Sequence, residues 1–131
     1  LDHPGGGLSW LGTYGPISRW REGAERGLAI MRDAGFPPGI VARPMAGGHY
    51  CVLRWVVTFD RADEGERKRV RALLEALLDF ALDLGFLPYK TPRWALKRCA
   101  DKLQPGYREL LARLTRTLDP ADTMDGSRWR P

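Results

Sequence analysis

Cysteine, histidine and long apolar runs are all scarce in this chain, and each scarcity closes off a class of function. Two cysteines and two histidines are present in 131 residues. Cys51 and Cys99 stand in a strand-like and a helix-like segment, without the Cys-x-x-Cys or Cys/His spacing of a metal site, and read as buried free thiols. No stretch approaches the roughly 20 apolar residues of a membrane-crossing helix. The first residues lack the basic-then-apolar pattern of a secretory signal, so the expectation is a soluble chain, with the cytoplasm preferred over the periplasm. Gly-x-Gly-x-x-Gly, phosphate-loop, His-Glu-x-x-His and nucleophile-elbow motifs are also missing, as are internal repeats and low-complexity segments.

Charge of one sign is not in large excess either: 21 basic residues face 16 acidic ones, a net +5. The basic residues are dispersed among acids along helical stretches, which reads as solvated helix faces rather than a nucleic-acid surface. The stretch Tyr50 to Phe59 also lacks the aromatic and basic spacing of an RNA-recognition motif. At 44% hydrophobic, residues 1–131 are expected to form a single domain, one that buries about two-thirds of its unfolded surface. The opening Leu1-Asp2-His3-Pro4-Gly5-Gly6-Gly7 reads as the interior of a polypeptide, whether excised, nicked or separately encoded.

What is present is an ordered alternation of patterns. Leu8 to Tyr14 predicts a strand closed by Gly15-Pro16. Ser18 precedes a helical stretch in which Trp20, Ala24, Leu28 and Met31 share one face, with Gly35 and Pro37-Pro38 as the stop. Gly39 to Pro44 predicts a short strand, and His49 to Phe59 the longest one. In the latter, Cys51, Leu53, Trp55, Val57 and Phe59 alternate with Tyr50, Val52, Arg54, Val56 and Thr58. Both faces are mostly apolar, which predicts helices over one and a further layer over the other.

Asp60 and Asp63 then lead into the clearest helix, striped by Val70, Leu73, Leu74, Leu77, Leu78, Ala81 and Leu84 and ended by Gly85. Phe86 to Lys90 reads as extended, Pro92 as a helix opener, and Tyr107, Leu110, Leu111, Leu114 and Leu118 mark a last helix. The order β-α-β-β-α-β-α-α predicts an α+β domain: a ferredoxin-like antiparallel sheet with helices packed on one face, plus C-terminal helices.

Four segments carry a family resemblance. Gly5-Gly6-Gly7-Leu8-Ser9-Trp10 is similar to a Gly-x-His-Leu-x-x strand. Gly85-Phe86-Leu87-Pro88-Tyr89-Lys90-Thr91 is similar to a Gly-x-x-x-Tyr-Arg-Thr turn, Phe59-Asp60-Arg61-Ala62-Asp63 to an Asp-Arg-Ser-Asp junction, and Leu118-Asp119-Pro120 onward to a Leu-Asp-Pro-x-x-Ile-x-x-Pro-Gly-Lys end. Together they resemble the C-terminal cap domain of FAD-dependent oxidoreductases of the vanillyl-alcohol oxidase and p-cresol methylhydroxylase type. The resemblance implies that residues 1–131 shape a substrate pocket for hydride transfer from a phenolic or hydroxy-acid carbon. FAD would be held mainly by an N-terminal domain or subunit. Gly7 stands where the histidine that carries a covalent flavin would be, so no attachment through this chain is expected.

The resemblance makes Tyr89 and Lys90 substrate-binding, since a hydroxyl donor beside a cation would hold a phenolate, or equally a carboxylate. Arg128, standing for the family's lysine, would approach the flavin. Arg54, costly on an apolar strand, either pairs at the sheet edge or points into the cavity beside Tyr50. His49 is a strand-end residue or a site member, and Trp10 core or cavity wall. No catalytic residue and no metal site is assigned, and homo-oligomerisation is left open. The competing reading is a small α+β binding or oligomerisation module without catalysis.

Overall fold

A computed structural model describes residues 5–121 and 123. The chain divides into two compact units, Leu1–Lys90 and Thr91–Pro131. The first contains four strands, β1 (Gly6–Pro16), β2 (Ile40–Pro44), β3 (Tyr50–Asp60) and β4 (Leu87–Pro88), with helices α1 (Trp20–Asp33) and α2 (Glu64–Asp83). The sheet runs β2-β3-β1-β4 and every pairing is antiparallel. This is the expected α+β arrangement, with β1 and β3 paired along their whole length at the centre.

One face of the sheet carries the core. Leu11 and Thr13 of β1 lie opposite Trp55 and Leu53 of β3, and with Cys51 and Val57 they are buried. Thr13 satisfies its hydroxyl by donating to the Leu53 carbonyl at 3.1 Å. Against this face α2 presents the predicted stripe, Val70 through Ala81 being buried together with Leu84. Asp63 caps α2 by accepting the Glu66 N–H at 3.0 Å, and the Asp60 carboxylate accepts the Ala62 N–H at 2.8 Å. The Asp-Arg-Ala-Asp junction is thus a helix-entry device.

For α1 the expected face is corrected. Its buried positions are Gly23, Gly27 and Met31, while Trp20 is exposed and Ala24 and Leu28 are intermediate. Apolar counting gives glycine no weight, yet here the two glycines are the contact surface. A Cβ at Gly23 would come within 2.6 Å of Leu53, and one at Gly27 would overlap the Trp55 indole. The helix backbone therefore rests directly on β3. Ser18 does not cap α1; it lies in a single 3-10 turn, Ile17–Arg19, that leads into the helix.

Both helices end alike. Gly35 and Gly85 have φ of 77° and 86°, and each is followed by a buried phenylalanine, Phe36 or Phe86, whose N–H returns to the helix at Met31 or Ala81. This double cap satisfies the last carbonyls and buries a ring at each exit.

The second unit holds a single turn at Arg93–Ala95, α3 (Leu96–Ala100) and α4 (Pro105–Leu118). Proline opens α4 at its first turn. Its predicted stripe is amphipathic but exposed at Tyr107, Leu110, Leu114 and Leu118. After it, buried Asp119 accepts hydrogen bonds from the Thr123 N–H at 2.7 Å and hydroxyl at 3.2 Å.

Helical basic residues pair with acids one turn away, as in Arg26–Glu22, Lys68–Glu64 and Arg113–Glu109. Such exposed pairs stabilise by at most about 0.5 kcal/mol each, and they account for the dispersed charge of both signs. Among the described residues no helix is long and apolar enough to cross a membrane.

Cys51 and Cys99 are both free and buried, as expected. Burial pushes both thiols above their ordinary pKa range. Near neutral pH they should stay protonated, and a disulfide reagent should label them only after denaturation. Rapid labelling of the folded protein would contradict this placement.

Candidate functional site

The helices of the first unit cover one side of the sheet, and the other side is where polar chemistry gathers. Cross-strand register places Leu8, Trp10, Gly12 and Tyr14 of β1 opposite Thr58, Val56, Arg54 and Val52 of β3. Val41 of β2 and Leu87 of β4 pair with Arg54 and Tyr14, joining the same face. Val52 and Val56 are buried, but Leu8, Trp10, Tyr14, Val41, Tyr50 and Leu87 are exposed. On β3 the expectation of burial on both sides therefore holds through Val52 and Val56, and the exposure of this face lies mostly on its neighbours β1, β2 and β4. This exposed apolar and aromatic surface is the candidate site.

At its centre is a pair that sequence separation hides. Arg54 Nε donates to Tyr89 Oη at 2.8 Å, and Arg54 Nη2 donates to the same oxygen. The guanidinium also lies 5.6 Å from the Tyr89 ring centroid and 6.0 Å from that of Trp10. These contacts fall within the reach of cation–π attraction, which helps a half-buried cation on an apolar face. Tyr14 extends the cluster, its ring 5.0 Å from Tyr89 and 5.7 Å, edge-on, from Tyr50.

Gly12 makes the pair geometrically feasible. It lies directly opposite Arg54 in the β1–β3 ladder, and the Tyr89 N–H donates to its carbonyl at 3.2 Å. A Cβ at this position would come within 2.5 Å of Tyr89 Cε1 and Oη. The bare backbone is a socket in which the phenol ring lies flat on the sheet and reaches across to the neighbouring strand. No periodicity signals this role; a glycine inside a strand is the only trace it leaves.

Of the residues singled out from sequence, Tyr89, Arg54 and Tyr50 share this face. Lys90 follows Tyr89 but is exposed, with no hydrogen bond or ion pair among the described residues. His49 is exposed in the β2–β3 turn, where its carbonyl accepts the Ile17 N–H at 3.4 Å. Arg128 lies outside the described residues. Sequence reasoning missed Gly12 and Tyr14, and it did not foresee that Tyr89 is hydrogen-bonded to Arg54. Trp10 lies on the exposed face and not in the core. Among the described residues no group of three or more His, Cys, Asp or Glu is placed to hold a metal ion.

No protein-family model and no curated protein sequence matches the chain. Solved structures do. The structure of p-cresol methylhydroxylase with substrate bound is similar at a TM-score of 0.78 and 23% identity, over 96% of this chain and 24% of that one. The 4-ethylphenol oxidase from Gulosibacter chungangensis, in an isoeugenol complex, is similar at 0.79 and 17% identity, over 96% of this chain and 25% of that one. The resemblance read from the sequence is thus met at the level of fold. The chain spans about a quarter of the length of each of these two enzymes.

Proposed function

We propose that this chain is the substrate-facing part of an FAD-dependent oxidoreductase, forming one wall of a pocket in which a phenolic or hydroxy-acid carbon loses hydride. The observation that carries the reading is the uncovered sheet face with aromatic rings grouped around the Arg54–Tyr89 pair. Its fold, shared with parts of two enzymes whose names declare phenolic substrates, supports it.

The face suits one side of a flavin pocket. Its exposed rings can flank a planar group, but among the described residues it carries no glycine-rich turn of the kind that cradles a pyrophosphate. Most of the cofactor's binding therefore falls to an N-terminal domain or subunit, with Arg128 as this chain's candidate contact. Gly7 argues against covalent attachment through this position, because any side chain there would overlap the Phe59 carbonyl oxygen. When bound, the flavin would supply the hydride acceptor.

The chain's own residues would bind and orient. Tyr89 Oη, accepting from a cation, is polarised as a donor toward an anionic oxygen of the substrate. Arg54 supplies the compensating charge, and the rings of Trp10, Tyr14 and Tyr50 exclude water, which strengthens both interactions. Lys90 would add positive potential at the rim, and His49 stands at the outer end beside Tyr50.

The test is the full-length protein and its Tyr89→Phe variant. Flavin absorbance should be present and equal in both. Turnover efficiency should fall about 10- to 100-fold in the variant, the scale of one hydrogen bond to a charged group. Undiminished turnover would remove Tyr89 from the site, and a colourless protein would reject the flavoenzyme reading. The exposed stripe of α4 favours the competing reading, a binding or oligomerisation module. A colourless chain that self-associates in sedimentation would support it.

A further inference from the structure

The geometry points to a carboxylate as the substrate group received by Arg54. This inference rests on the flavoenzyme reading and narrows its substrate class.

A guanidinium offers paired N–H groups along more than one edge, each able to match two oxygens of a planar anion. In Arg54 the Nε–Nη2 edge is spent on the single oxygen of Tyr89. Its end edge, Nη1 with the second Nη2 hydrogen, has no acceptor among the described residues, and no carboxylate there pairs with it. A half-buried cation without an anion is costly, so its unpaired edge implies one that arrives.

The shape of this edge distinguishes among anions. Two parallel N–H groups fit the two oxygens of a carboxylate, whereas a phenolate oxygen would use one and leave the other bare. The Tyr89 hydroxyl accepts from Arg54, and its own proton has no acceptor among the described residues. It is therefore free to donate to the same carboxylate. Trp10 and Tyr14 flank the pair with exposed ring surface, which suits a planar, apolar body behind the charged end.

The experiment compares 3-phenylpropionate with its neutral isostere 3-phenylpropionamide, and both with p-cresol. Binding to the full-length flavoprotein is followed by flavin absorbance and by calorimetry. The acid should bind at least about tenfold more tightly than the amide, the scale of one charge-assisted hydrogen bond. Arg54→Lys, which keeps the charge and loses the paired edge, should erase most of that preference, and Arg54→Met all of it. Affinity for p-cresol should fall as well, because Arg54 also holds the Tyr89 hydroxyl, so the acid-to-amide ratio is the readout. Circular dichroism checks folding, and Arg54→Lys keeps the test usable if Arg54→Met does not fold.

Equal binding of acid and amide, or an acid-to-amide ratio unchanged in Arg54→Lys, would overturn the carboxylate assignment while intact flavin bands preserved the parent reading. A full-length protein without flavin bands would sink the parent reading. Calorimetry would then still read the acid-to-amide ratio, and a ratio near one would sink the anion site as well.

Discussion

Gly27→Ala should lower the stability of the protein, against the ordinary effect of that substitution in a helix. In a helix interior, alanine is favoured over glycine by about 0.5–1 kcal/mol. Gly27, however, is buried against Trp55, itself only 1% exposed, and a methyl group would overlap the indole. The ring has nowhere to retreat, because β3 holds it from below and Phe80 packs edge-on at 6.3 Å. Overpacking of a filled core costs about 1–3 kcal/mol and sometimes more, so the clash outweighs the gain in propensity. A net loss of about 2 kcal/mol is expected, read as a lower urea midpoint at unchanged slope. Gly23→Ala should cost less, since what it meets is the movable end of Leu53 at 2.6 Å. Trp55→Phe should recover part of the loss in the Gly27→Ala background. A Gly27→Ala midpoint at or above that of the parent protein would show that α1 does not rest on Trp55.

Gly12→Ala should damage the candidate site far more than the fold. The added methyl would displace the Tyr89 ring from its socket and pull the hydroxyl off Arg54, leaving the cation without its partner. An unsatisfied charged group on this scale corresponds to about 1.5–3 kcal/mol, or a loss of roughly 10- to 100-fold in ligand affinity. Stability should fall by only about 1 kcal/mol, because the ring lies on the face away from the core. The decisive comparison is a double-mutant cycle with Tyr89→Ala. If the two residues act as socket and plug, Gly12→Ala should add almost nothing once the ring is gone. Additive losses would mean that Gly12 matters for some other reason.

How much of this was visible in the chain depends on whether a role is carried by a side chain or by the lack of one. The two-residue alternation of Cys51 to Phe59, the stripe from Val70 to Leu84 and the glycine stop at Gly85 each announce themselves locally, and the structure has them where they were expected. The packing face of α1 did not, because Gly23 and Gly27 contribute no hydrophobicity to a periodicity. The candidate site was legible in its parts and not in its pairing. Tyr89 and Lys90 are neighbours in sequence, but they lie in a bend just after β4, where adjacency says little about shared contacts. Arg54 is 35 residues from Tyr89 and reaches it only because β4 is laid beside β1, across from β3. That juxtaposition is a property of strand order, which no local pattern records.

The central strand β1 holds two independent alphabets interleaved one letter at a time. Its odd positions from 7 to 15 spell the interior, and its even positions from 8 to 14 spell the face we propose as the binding wall. The wall can therefore be rewritten at Leu8, Trp10 and Tyr14, retuning the size and shape of what is accepted, while the interior text stays unread by the ligand. The converse is a severe intolerance of frame: one residue inserted between Gly12 and Gly15 would transpose the two messages beyond that point, sending core letters to the wall and wall letters to the core. Diversification of this domain should therefore proceed by exchange of residues on β1 and almost never by change in its length.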